Sequence, residues 1–190
     1  QPPPTAAPGA TVPSTPTTLP DPRSLFLGFQ YNLAKLPDEP MRPRVADARV
    51  GYFTVSRFDY SDTRTLTPRV NLVKRWRLEK KDPAAEISEP KQPIVFWIDR
   101  NVPLRYRDTI VAGVLEWNKA FERIGFKDAV QARIQPDDAD FDTLDARHAS
   151  IRWMTTARPA FVGIGPSQAD PRTGEILDAD IGIKCLAALV

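Results

Sequence analysis

The sequence predicts an α+β fold: a twisted mixed sheet of about five strands with one long helix packed on it. Three observations predict it. The apolar run Pro93-Ile-Val-Phe-Trp-Ile-Asp99 reads as a strand. After Asn101, apolar residues recur at spacings of three and four, the period of a helix with one buried face. Two further strand-like segments, Gln131 to Ile134 and Ala149 to Met154, then precede a glycine-bearing hairpin between Gly163 and Ile183.

Residues 1–22 come first and are predicted to be a disordered, proline-rich linker. They hold eight of the 20 prolines and no charge before Asp21, so they offer nothing to bury. They lack the basic and apolar regions of an intact signal peptide. Residues 23–92 are predicted to form an extended, β-rich segment, punctuated by Pro37, Pro40 and Pro43. Within it Val50-Gly-Tyr-Phe-Thr-Val55 is rich in strand formers. In Leu72-Val-Lys-Arg-Trp-Arg-Leu78, Leu72, Trp76 and Leu78 share one face and Arg75 and Arg77 the other, the alternation of a half-buried strand. Residues 93–190 are predicted to be a single subdomain built on the sheet.

The helix is predicted to bury Ile110, Val114, Trp117, Phe121 and Ile124 as one stripe, with Asn101 as N-cap and Pro103 in its first turn. Gly125 followed by Phe126 fits a left-handed C-terminal cap. If Trp117 lies in the core stripe, its truncation to alanine costs about 3–5 kcal/mol. At the far end, Asp170-Pro-Arg-Thr-Gly-Glu175 is predicted to be the turn of a hairpin whose arms are Phe161 to Ala169 and Ile176 to Ile183.

Composition excludes several function classes. A net charge of +2 gives no steering toward nucleic acid. The basic run around Trp76 is interrupted by Glu79 and Asp82, so it reads as a solvated strand face. No apolar run approaches the roughly 20 residues of a membrane span. One cysteine, Cys185, excludes an intrachain disulfide, and one histidine, His148, excludes a histidine-rich zinc set from this chain alone. His148 reads as a structural, partly exposed side chain. Asp137, Asp138, Asp140 and Asp142 lack the glycine and terminal glutamate of an EF-hand loop and read as a solvated acidic loop.

Several of these segments together carry a resemblance. Lys74-Arg-Trp-Arg-Leu-Glu-Lys-Lys-Asp-Pro83, Ser88-Glu-Pro90, the strand 93–99, Trp117-Asn-Lys-Ala-Phe-Glu122 with Gly125-Phe126, Ile151-Arg-Trp153 and Asp170-Pro-Arg-Thr-Gly-Glu-Ile176 occur in one order. Over residues 25–183 the chain resembles the N-terminal part of the catalytic domain of large, bacterial, secreted, zinc-dependent metalloproteases of metzincin-like architecture. The resemblance implies a hydrolase whose zinc is held by a His-Glu-x-x-His helix that would follow Asp178 to Ile183, its glutamate activating the metal-bound water. Here Lys184-Cys-Leu-Ala-Ala-Leu-Val190 stands instead, so no catalytic residue and no zinc ligand is expected in this chain. The resemblance implies a secreted, periplasmic or cell-envelope location.

It also implies a rim strand. Val162, Gly163, Ile164, Gly165, Pro166, Ser167 and Gln168 would pair antiparallel with an extended peptide or protein substrate through backbone bonds. Ile164→Pro would then remove one such donor. Asp178 and Asp180 are weak calcium candidates at the same hairpin. An open rim also predicts self-association through the edge. A second reading is a non-enzymatic module that keeps the half-fold and holds extended peptides on that edge.

Overall fold

The computed structural model describes residues 19, 21, 24, 26–61, 63–155 and 162–184. The expected linker 1–22 falls almost wholly outside them, as do Phe161 and the tail from Cys185. The chain divides into two compact units, 1–31 and 32–190. In the first, residues 26–31 form neither helix nor strand, and Phe29 stacks on Tyr31 with ring centres 6.4 Å apart. The second carries every named element.

Its strands are β1 (Thr54–Phe58), β2 (Arg69–Val73), β3 (Ile94–Ile98), β4 (Val130–Ile134), β5 (Ser150–Met154), β6 (Gly163–Ile164), β7 (Ser167–Ala169) and β8 (Ile176–Lys184). The helices are α1 (Leu104–Leu115) and the five-residue α2 (Asn118–Glu122). β1 and β2 form a separate antiparallel pair; the main sheet has six strands rather than five. Its order is β4-β3-β5-β8-β6, with β7 also on β8. The first four are mutually parallel, while β6 and β7 run antiparallel to β8. The fold is therefore mixed α+β.

Alternation along the strands sorts the two faces. Ile94, Phe96 and Ile98 of β3, Ile151 and Trp153 of β5, and Ile181 and Ile183 of β8 gather on the helix side, against Tyr106, Ile110 and Val114. Ile98 is fully buried there. Trp97 points the other way, edge-on to Phe141 at 5.0 Å and His148 at 6.1 Å. That second face is polar: Ser150 donates to Asp180, and buried Asp99 accepts from Thr143.

Three expectations about the helix are corrected. It is not one piece, because α1 stops at Leu115 and α2 resumes at Asn118. The interruption turns the stripe, so Trp117 is 64% exposed and Ile124 65%, and neither is core. Nor is Asn101 the N-cap. Pro103 holds that place without a side-chain bond, and the Asn101 N–H instead donates to Asp99 Oδ1 at 2.7 Å. The C-terminal expectation stands. Gly125 has φ +88°, with Phe126 N–H donating to Phe121 C=O and Gly125 N–H to Glu122 C=O, the paired bonds of a Schellman cap.

The predicted strand 72–78 ends at Val73. Beyond it the chain stays extended, with Arg75 N–H donating to Gly174 C=O and Ile176 N–H to Arg75 C=O. Trp76 and Leu78 pack on the core beside Ile94 and Val130, as their alternation predicts.

Candidate functional site

The hairpin forms from its turn outward. Asp170 is fully buried; its carboxylate accepts the Arg172 backbone N–H at 2.8 Å, and Gly174 N–H donates to its C=O at 2.8 Å. Gly174 has φ +79°, and a Cβ there would sit 2.3 Å from the Val73 carbonyl oxygen. Only glycine meets both conditions. Glu175, largely buried, takes two bonds from the Arg77 guanidinium at 2.8 and 2.6 Å, tying the turn to the segment after β2.

From that turn the arms pair in one register through Gln168. Gly163 lies opposite Ile183, Ile164 opposite Gly182 and Ser167 opposite Ala179. Lys184 N–H donates to Val162 C=O at 2.9 Å and Asp180 N–H to Pro166 C=O at 3.1 Å. Antiparallel alternation then turns the backbone groups of Val162, Ile164, Pro166 and Gln168 toward β8, and those of Gly163, Gly165 and Ser167 outward. The Ile164 expectation is corrected on this ground: its N–H belongs to the inner ladder, so proline there would break the hairpin rather than its rim. The Ser167 carbonyl is covered by Lys74 Nζ at 3.3 Å. Among the described residues, Gly163 and Gly165 are left as the open positions. A Cβ would meet nothing closer than 3.5 Å at Gly163 and 3.6 Å at Gly165. The chain's own packing therefore does not demand glycine at either, and the missing side chains leave room for another backbone. Val162 and Ile164 expose their side chains beside it.

Asp178 and Asp180 lie on the polar face of β8. Asp180 is satisfied by Ser150. Asp178 is 5% exposed, and its Oδ1 has no hydrogen-bond partner. Burial, with the charges of Asp180 and Asp145 adding to it, pushes its carboxyl up to about 6. Among the described residues no three His, Cys, Asp or Glu side chains gather as a metal-holding group. His148 lies stacked on Phe141 with ring centres 4.0 Å apart, and its backbone N–H donates to Asp145 C=O at 2.9 Å. The described residues do not fit a zinc site. Among them, too, no helix is long and apolar enough to cross a membrane.

On the helix face an apolar groove of 460 Å3 opens between Trp76, Phe96, Val114, Trp117, Phe121 and Ile181, with Phe53 at its wall. Trp117, expected in a core stripe from its helical spacing, lies on this groove. Lys74 reaches Ser167 from 93 positions away, a pairing no local pattern in the sequence announces.

A family model described as a domain of unknown function (DUF5117) matches residues 10–81. No curated protein and no solved structure matches the chain.

Proposed function

We propose that this chain is the sheet-and-rim part of a zinc-dependent metalloendopeptidase, with the strand through β6 and β7 holding an extended peptide or protein substrate. The observation that carries the reading is the edge itself. An antiparallel strand borders an otherwise parallel sheet, and at Gly163 and Gly165 it turns outward backbone groups that no described residue covers, beside missing side chains. Such an edge takes up a peptide backbone by strand addition. The apolar groove along Trp117 and Ile181 adds support, because a further packed element would bury it. Zinc would supply an activated water, its ligands coming from residues other than these 190. The reading carries with it a secreted, periplasmic or cell-envelope location.

The test is a zinc titration with a peptide-hydrolysis assay, run on this chain and on a longer product of the same gene. The 190-residue chain binds no zinc tightly and cleaves nothing, whereas the longer product turns over peptide only with zinc. Gly163→Pro in the longer product raises KM and leaves zinc content unchanged. Absence of zinc-dependent cleavage there, with peptide still bound, would instead establish the non-enzymatic binding module.

A further inference from the structure

The opposite edge of the sheet carries a second opening. Ile94 N–H donates to Ala129 C=O at 2.8 Å, and Gln135 N–H to Ile98 C=O at 2.9 Å. With Ile94 opposite Val130 and Ile98 opposite Ile134, parallel alternation turns Gln131 and Arg133 inward to β3. The backbone groups of Val130, Ala132 and Ile134 therefore point away from the sheet. At Val130 a side chain stands in for the absent neighbour strand. Asn118 Nδ2 donates to its C=O, and its N–H donates to Asn118 Oδ1, both at 2.9 Å. Ala132 and Ile134 have no such partner among the described residues.

This open stretch borders a polar groove of 790 Å3 whose wall includes Lys81, Lys91, Arg133, Glu89 and Asp128. Lys91 is paired with Glu79 at 2.9 Å. Glu89 is already shared by Lys81 at 3.5 Å and Lys127 at 3.6 Å. Arg133 lies over the Trp97 ring at 5.6 Å and bonds Gln131 Oε1, with no carboxylate paired to it among the described residues. A second copy of this chain does not suit the edge. A two-fold pairing that avoids the Asn118 clasp would be centred on Arg133, setting it against its own copy, and like charges directly opposite repel.

We propose that β4 is a second strand-addition site, distinct from the β6–β7 edge, which takes an extended peptide segment through Ala132 and Ile134 and prefers an acidic side chain opposite Arg133.

The test uses the whole 190-residue chain, isotopically labelled, with two extended, threonine- and valine-rich peptides that differ only in carrying glutamate or lysine at alternate positions. The glutamate peptide slows amide exchange at Ala132 and Ile134, and the lysine peptide does not. N-methylation of the glutamate peptide along its pairing side abolishes the effect. Arg133→Glu, at an exposed position, weakens the glutamate peptide by about threefold or more. Equal binding of both peptides, no binding at millimolar concentration, or protection confined to Gly163 and Gly165 would overturn the proposal.

Discussion

The two edges of the six-stranded sheet are held by different means. β4 runs parallel to β3, and a side chain from outside the sheet clasps its first residue. The β6–β7 edge is antiparallel and is held by its own turn, where Asp170, Gly174 and Glu175 fix the hairpin and Lys74 covers one outward carbonyl. The first edge depends on one side-chain clasp from 12 positions earlier in the chain, the second on a local turn and on Lys74 and Arg77, which reach Ser167 and Glu175 from 93 and 98 positions away. An open strand edge invites pairing with any other chain. Among the described residues each edge is blocked at one position and open at two, and the open positions differ in kind. Glycines leave the β6–β7 edge sterically bare, whereas Arg133, with no carboxylate paired to it among the described residues, gives the β4 edge a charge.

The largest break in this comparison is expected at Gly174. Gly174→Ala forces a Cβ into the Val73 carbonyl and a left-handed φ on alanine, costing about 3 kcal/mol or more in thermal or urea unfolding. Loss on that scale would show that the turn holds its edge; an unchanged melting temperature would show that it does not. Asn118→Ala removes both bonds to Val130 and is expected to cost about 1–3 kcal/mol. The same variant lengthens the open β4 edge by one residue, so the Val130 amide should become exchangeable in free protein and protected by the glutamate peptide.

Trp117→Ala follows at about 1 kcal/mol, since the indole is 64% exposed. A cost near that of full burial would mean that the groove it lines is closed in solution. A further effect depends on pH and concerns Asp178, whose carboxyl is raised to about 6 by burial first and then by Asp180 and Asp145. The folded state therefore holds this proton more tightly than the unfolded chain does. Its stabilisation is complete below the ordinary carboxylate range and is lost as pH rises from about 4 through about 6. Asp178→Asn should accordingly melt above the parent at pH 8, with the difference vanishing near pH 4. An equal gap at both pH values would contradict the assignment.

Local signals in the sequence reached the elements that local physics builds. The run Ile94 to Ile98 is apolar because both faces of β3 are covered, and its strand was legible for that reason. Pro171 and Gly174 announced the hairpin, and Gly125 the end of α2, since each meets a backbone requirement few residues satisfy. The break at Glu116–Trp117 was not legible. The spacing of apolar residues continues through it, so periodicity alone placed Trp117 and Ile124 in the core. The parallel order of β4, β3, β5 and β8 was equally hidden, because parallel partners meet across long crossovers rather than tight turns. For the same reason the outward parity of Gly163 and Gly165, and the Asn118 clasp on Val130, emerge only once the register is known.

The most direct test of the β6–β7 rim compares amide exchange at Gly163, Ile164 and Gly165 in the free chain and with a saturating extended, proline-free peptide. Both glycines are expected to exchange rapidly and Ile164 slowly in the free chain, with the two glycines becoming protected when peptide is added. Glycine amides already protected in the free chain, or unaltered by bound peptide, would contradict the rim assignment.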